Sequence, residues 1–311
     1  MGRVLMIFVD GLGLGEEEEF NPLVSIPTPG LRSYLEGAPL TRKRAGLEGR
    51  ASLLLPLDAS LGVPGAPQSA TGQASLFTGE NAAALLGHHL KGFPNQALLN
   101  LLQEKGILGR LKGLGLNVTF ANAFRPLFFE RLSRGIRHFS CTTAANYFAG
   151  LPFRTLEDVE AGRALYADIT NDYVRAQGYP VTLITPGEAA SRLAKLAAAH
   201  DFTLFEYFFT DLAAHSGDFA KVRKALTRLD RFLGALPALL PSDSLLVVTS
   251  DHGNIEDLRS KEHTGNPVPL LAWGRDRRCL EGLSCITEVS PALTDYLLAV
   301  KRQGRQGFVQ N

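Results

Sequence analysis

The chain has 311 residues, 45% of them hydrophobic and 20% charged. That is enough apolar material for one large α/β domain with a smaller insertion, and it excludes wholesale disorder. Lys and Arg number 32 against 31 Asp and Glu, so the charge balance gives no reason to expect nucleic acid (beyond a nucleotide substrate) or an acidic membrane as partner.

In chain order, Arg3–Val9 is an apolar run that predicts a fully buried strand, ended by Asp10 and the glycines Gly11, Gly13 and Gly15. It is too short for a signal-peptide core or a membrane span, and Met6 stands where a myristoylation signal needs Ser or Thr. The acidic run Glu16–Glu19 reads as a solvated loop or helix start. Further strands are predicted at Asn117–Ala121, Phe202–Phe209, Ser244–Ser250 and Val268–Trp273. Helical patterns cover Gln96–Leu114, Pro186–His200 and Asp218–Leu240. A last helix is predicted at Ser290–Val300, with Ser290 as N-cap and Pro291 in the first turn. Cys141, Cys279 and Cys285 form no CxxC pair and leave an odd thiol, which fits a reducing cytoplasm rather than a disulfide framework.

Strands alternating with amphipathic helices predict a mainly parallel sheet covered on both faces. Residues 125–185 break that rhythm with clustered arginines and irregular aromatics, and read as a small cap or insertion. Residues 1–124 and 186–311 then form the core. In such sheets ligands gather beyond the carboxyl ends of the strands, where Asp10, Asp211 and Asp251 all fall.

Five stretches carry chemistry. Asp10-Gly-Leu-Gly-Leu-Gly15 lacks the dinucleotide glycine spacing, and Asp10 would repel a phosphate, so its carboxylate is better suited to a cation. Ser69-Ala-Thr-Gly-Gln73 enters a helix, where free backbone N–H groups favour a phosphate; the plainer reading is that Ser69 only caps the helix, and Thr71 and Ser75 are further candidates. Asp211 and His215 are four apart and share one side of a helical turn. Asp251-His252 ends a strand, with Gly253 allowing a turn that aims both toward one rim, and His263 lies in the loop ahead of the next strand. Three Asp, three His and a Ser near strand ends form an oxygen and imidazole set suited to paired Zn or Mn.

DGLG, SATGQ, DLAAHSG, SDHGN and HTGNPVP, in this order, resemble the alkaline phosphatase superfamily. Within it they resemble the metalloenzyme branch of cofactor-independent phosphoglycerate mutase and phosphopentomutase. The nucleophile segment is also similar to that of nucleotide pyrophosphatase/phosphodiesterases. The resemblance implies an alkaline-phosphatase-like three-layer α/β/α sandwich holding two divalent ions, Mn2+ or Zn2+. One ion would be held by Asp10, Asp251 and His252 with Ser69 completing its shell, the other by Asp211, His215 and His263. Ser69 would be the phosphate-accepting nucleophile toward a small phosphorylated substrate.

The sequence also departs from the mutases. Gln73 replaces a histidine of their nucleophile motif, and only about sixty residues are available for a cap. Candidate substrate contacts are His88 and Lys91, which a loop exposing basic residues explains equally well, and Arg125, with Arg137, Arg154 and Arg163 as further cap residues; surface charge is the better explanation of each arginine. A small cap leaves an open site, so a phosphatase or phosphodiesterase is expected ahead of a phosphomutase acting on a sugar or glycerate phosphate. A non-catalytic protein binding metal or phosphate is the third reading.

Overall fold

The structure is a computed structural model that describes residues 2–46, 49–135 and 137–309. Its sheet contains β1 (Arg3–Val9), β2 (Ser52–Leu57), β3 (Val118–Phe120), β4 (Phe202–Tyr207), β5 (Ser244–Thr249) and β6 (Val268–Trp273), in the order β2-β6-β5-β1-β4-β3. β1 pairs in parallel with β4 and β5, and β3 pairs in parallel with β4. β6 is antiparallel to both β5 and β2. β6 alone therefore runs against the common direction.

The strands are apolar throughout because both faces are covered, and alternate residues sort cleanly between the faces. Val4, Met6 and Phe8 pack with the helices Ser69–Thr78, Gln96–Lys105, Ile107–Gly113 and Val289–Val309. Leu5, Ile7 and Val9 pack with Pro186–Ala198 and Phe219–Ala235. The result is the three-layer α/β/α sandwich expected from the sequence. Phe8 is fully buried, edge-on to Phe77 at 5.3 Å between ring centroids. Truncating it to Ala would cost about 3–5 kcal/mol.

Local chemistry explains where the elements depart from expectation. β2 was not anticipated because Pro56 interrupts its apolar run. At the sheet edge, opposite Pro269, a missing N–H is tolerated. The helical run 96–114 divides at Gly106, whose ψ of 133° is not helical. The last helix begins at Val289, directly after the tight turn Ile286–Glu288. Ser290 is therefore inside it, and its hydroxyl donates to the Phe77 carbonyl at 3.3 Å instead of capping.

Residues 125–185 carry the short helices Pro126–Ser133, Cys141–Phe148, Leu156–Glu160 and Asp172–Ala176. Cys141, Ala144 and Ala145 join the core cluster on one face of the sheet, while Leu156, Val159 and Val174 form a small cluster of their own with Ala123. Bridges from Asn122 to Leu165 and from Ala123 to Arg154 fasten the segment beyond the end of β3. All three cysteines are free. No described helix is long and apolar enough to cross a membrane.

Candidate functional site

Strand register sets Val9 beside Tyr207 and Phe8 beside Thr249, so β1, β4 and β5 end level. Asp10 follows β1 directly, and Asp251 and His252 follow β5 after Ser250. Asp211 and His215 sit on the helix Phe209–Ser216 that starts just beyond β4. Because β6 runs the opposite way, the loop ahead of it reaches the same rim and brings His263. Ser69 is the first residue of its helix, with Gln68 as N-cap. Seven residues from five separate stretches thus meet at one edge.

Asp10, Asp251 and His252 place one ligand atom each within 4.8 Å of one another, and Asp211, His252 and His263 do the same. His252 Nε2 lies 3.3 Å from Asp10 Oδ1, 3.4 Å from Asp251 Oδ2 and 3.1 Å from Ser69 Oγ. His215 Nε2 is 3.0 Å from His263 Nε2 and 3.4 Å from Asp211 Oδ1. The rings of His252 and His263 stack with centroids 3.7 Å apart. The resemblance implied two separate ligand sets; the geometry fuses them, with His252 between.

The donor count shows that this set fits a cation. His215 Nδ1 is 2.6 Å from the Lys261 carbonyl, and His263 Nδ1 is 3.0 Å from that of Pro67. Carbonyls accept only, so each Nδ1 carries a hydrogen and each ring turns its Nε2 inward. Those two Nε2 atoms face each other and the Asp211 carboxylate. Asp10 Oδ1 is buried and receives no well-formed hydrogen bond. Burial, and then the Asp251 carboxylate, push the Asp10 carboxyl well up, and burial likewise raises Asp251. Burial alone would lower His252, but Asp251 and Asp10 outweigh it and hold the ring up at about 10. His263 is pushed down to about 4 by burial and by charge on His252. A buried arrangement of acceptors this dense is stable with positive charge among them and costly without it.

A surrounding shell holds the rim side chains, and the sequence did not expose it. Gln73 Nε2 donates to Asp251 Oδ2 at 3.1 Å and to Asp10 Oδ2 at 3.4 Å, tying the two carboxylates from the helix side. Asn254 Nδ2 donates to Asp211 Oδ1 at 2.7 Å. Glu256 is fully buried and accepts from Gly13 N at 2.9 Å, Asn254 N at 2.8 Å, Asn266 Nδ2 at 3.1 Å and the Thr264 hydroxyl. It joins the loops that carry Asp10, His252 and His263. A Cβ at Gly13 or Gly253 would collide with its carboxylate. That corrects the expected role of Gly253, which does not adopt a left-handed φ and serves by leaving space. A Cβ at Gly72 would stand 2.6 Å from the Asp251 carbonyl, so glycine lets the Ser69 helix approach the Asp251 loop.

The predicted helix-terminal phosphate cradle is not free. The amides of Ala70 and Thr71 both donate to the Leu90 carbonyl, at 3.1 and 3.3 Å. Thr71 and Ser75 spend their hydroxyls on backbone, on Gln68 O and Thr71 O respectively. A cavity of about 500 Å³ opens above the rim, shared by Asp10, Ser69, Gln73, Asp211 and Arg125. His88 and Lys91 are exposed and outside its lining; the His88 ring is turned to the Leu86 carbonyl of its own loop. Arg154 holds Phe120 O and Thr119 Oγ1, Arg163 pairs with Asp158, and Arg137 lies over Tyr147. Glu206, unanticipated, lines the cavity, accepts from Thr142 Oγ1 at 2.7 Å and is raised to about 7 by burial.

Fold and rim together match the alkaline-phosphatase-like resemblance read from the motifs, with a strand-end set of carboxylates and imidazoles that fits divalent cations. Residues 183–295 match the family model described as the metalloenzyme superfamily. A 2,3-bisphosphoglycerate-independent phosphoglycerate mutase of Acetivibrio thermocellus is 32% identical over 107 residues, covering 32% of this chain and 20% of that protein. Across the first curated relatives the match spans between 18% and 33% of their length. Among solved structures, Leishmania mexicana phosphoglycerate mutase aligns with a TM-score of 0.59 at 11% identity, covering 95% of each chain. The cold-active alkaline phosphatase of a Shewanella species aligns at 0.51 and 12% identity, over 96% of this chain and all of that one. These two likenesses speak to fold alone, and they agree with the alkaline-phosphatase-like resemblance read from the motifs.

Proposed function

We propose that this chain transfers a phosphoryl group through Ser69 and that a substrate hydroxyl accepts it, a phosphomutase reaction. The observation carrying the chemistry is the position of Ser69 Oγ, 3.1 Å from His252 Nε2 where the two acceptor clusters join. Asp10, Asp251, His252 and Ser69 would hold one divalent ion, and Asp211, His215 and His263 a second, Mn2+ or Zn2+. Bound ions would supply Lewis-acid charge that favours the Ser69 alkoxide and neutralises phosphoryl oxygens. Ser69 Oγ bonds to phosphorus as the ester oxygen departs, the serine proton ending on the released alcohol. A hydroxyl then takes the phosphoryl group and returns its proton to Ser69. Gln73 and Asn254 keep the carboxylates in one orientation throughout, and Arg125 faces the phosphate from the cavity wall.

Transfer to a hydroxyl is placed ahead of hydrolysis because the matched relatives are named phosphoglycerate mutases. This reverses the order expected from the small cap. Their substrate does not come with the match, which covers a minor part of each. Hydrolysis is the second reading, favoured by the helix Pro126–Ser133, which lines the cavity yet has no buried residue and leaves water a path. We also propose that residues 125–185 act as the cover of this site and that the protein works in the cytoplasm on a small phosphorylated substrate.

The deciding experiment incubates Mn2+- or Zn2+-loaded protein with a panel of sugar, glycerate and aryl phosphates. Products are separated, and the quenched protein is searched by mass spectrometry for phosphate on the Ser69 peptide. Isomerised ester with a Ser69 adduct is the expected result, and free phosphate with the same adduct moves the assignment to hydrolysis. Metal binding without turnover on any ester would leave a binding protein and overturn the enzyme reading.

A further inference from the structure

The cavity above the rim has a character that phosphate chemistry alone does not require. Its acidic members, Asp10, Glu206 and Asp211, all lie at the strand-end rim. Away from the rim, Phe124, Phe128 and Phe139 form an aromatic wall beside Arg125 and Arg131, with Ser140 and Thr143 as uncharged polar neighbours. Phe124 and Phe128 stack at 4.3 Å between centroids, and both pack edge-on against Phe153. They are braced, so their orientation is set before any ligand arrives.

The mouth of the cavity gives an independent sign. Phe93 is 54% exposed, Leu127 41% and Leu212 52%, among few large apolar side chains so exposed in the described residues. They come from three unrelated places: the loop after the helix Ala82–Leu86, the helix Pro126–Ser133, and the helix carrying Asp211. All three nevertheless line this one cavity. Single exposed apolar residues need no explanation, but convergence of three around one opening marks a binding surface. Phe93 also stacks on His138, another lining residue, at 4.7 Å. At about 500 Å³ the space falls within the roughly 300–1,000 Å³ of clefts that enclose drug-sized ligands. A glycerate phosphate would leave most of this apolar wall in contact with water.

We propose that the cavity is a subsite for a planar aromatic group, so that the substrate is a phosphate ester with an aromatic body resting between Phe93, Phe128 and Leu127. The inference rests on the reading of the rim as a divalent-metal phosphate site. Aromatic stacking and apolar burial against this wall supply affinity that a small polyol phosphate cannot gather. Arg125 and Arg131 supply positive charge beside it for the anionic end of the molecule.

Non-hydrolysable phosphonates test this without any difference in leaving group. Mn2+-loaded protein is titrated calorimetrically with 2-naphthylmethylphosphonate and with methylphosphonate. The same pair is measured on Phe93→Ala and on Leu127→Ser, whose exposed side chains make unfolding an improbable outcome that circular dichroism checks. The expected result is at least tenfold tighter binding of the naphthyl compound by the native protein, with that ratio falling severalfold toward one in each variant. Equal binding of the two compounds overturns the subsite and leaves the metal reading standing. A naphthyl preference that survives both substitutions places the aromatic group elsewhere and also overturns it. Binding of neither compound removes the phosphate-site reading and this inference with it.

Discussion

Two buried acidic groups in this molecule resemble each other in composition and differ in what surrounds them. Beyond the sheet edge, Asp168 and Asp172 lie close together. Asp172 Oδ1 accepts from Arg228 Nη2 at 2.6 Å and its other oxygen pairs with Lys224, while Asp168 takes the amides of Asn171 and Tyr173 at 2.9 and 2.6 Å. Burial works against the charge on Asp172, and the Lys224 contact, Asp168 and Arg228 overcome it, holding that carboxyl well below its ordinary range. Burial moves Asp168 to about 7. At the rim, Asp10, Asp211 and Asp251 have histidine, amide and hydroxyl neighbours, and no Lys or Arg pairs with them among the described residues. The first group is neutralised from within and ties a segment to the helix Phe219–Ala235. The second has His252 as its only cationic partner among the described residues, and it is the one of the two whose acceptors fit a divalent ion.

The largest expected effect follows from the one group at the rim that is not there to neutralise charge. Ser69→Ala should lower phosphoryl transfer by on the order of 10⁴ or more, with metal content by mass spectrometry nearly unchanged. Substantial turnover in the variant would remove Ser69 as the nucleophile. Next comes a pair of substitutions that sets the two clusters against each other. Asp251→Asn should weaken metal binding by roughly 100-fold or more while leaving the metal-free protein as stable as before or more so, because a buried repulsive charge is lost. Arg228→Ala should do the opposite. Its removal leaves a partly exposed Asp172 with Lys224 as its remaining cation, costing about 1–3 kcal/mol after allowance for solvent, with metal affinity unchanged. Urea melts of chelated protein measure both, and a clear destabilisation by Asp251→Asn would erase the distinction.

A smaller effect is expected at Glu256, which touches no proposed ligand side chain directly and acts through the loops. Glu256→Gln keeps the shape but replaces one acceptor oxygen by a donor amide, facing donors at Gly13, Asn254, Thr264 and Asn266. Metal affinity should fall about 10- to 100-fold, the range for partners that orient ligands. Titration with a metal indicator against the native protein measures it, and a change under twofold would reduce Glu256 to a packing residue.

The difference between ligands and their supports also explains what could be read before folding. Asp10, Asp211 and Asp251 were legible because buried apolar runs end on them, and ligands gather at such ends. His263 was legible only as part of a motif, since its approach depends on β6 running antiparallel, which periodicity does not reveal. Glu256 was hidden because its four donors come from positions 13 to 266; the glycines Gly13 and Gly253, read as turn formers, were the available trace. β2 was masked by Pro56, and the free helix terminus assumed for Ser69 was removed by a carbonyl from Leu90, distant in sequence. Contacts within one element were written in the local pattern. Those between elements were not.

The smallest effect is a pH dependence, and its range separates the clusters once more. A carboxyl whose folded pKa is raised binds more protons folded than unfolded, so its contribution to stability is lost as pH rises through the raised value. Asp10 and Asp251 are both raised above 3.8, and His252 is raised from 6.5 to about 10, which has the same sign. His263, lowered to about 4, acts oppositely between about 4 and 6.5. Above 6.5 the rim therefore favours the metal-free fold less with each increment of pH. In the other cluster Asp172, held low, contributes stability that is fully present above 3.8, and Asp168, raised to about 7, has lost its contribution soon above that pH, so neither titrates far into that range. Chelated protein should thus lose a few degrees of melting temperature between about pH 6.5 and 9, and saturating Mn2+ should flatten the slope, because bound cations replace the protons the site releases. Thermal melts with and without metal across that range measure it. A chelated slope equal to the metal-loaded one would mean that rim protonation is not coupled to the fold, and the contrast with Asp172 would then rest on geometry alone.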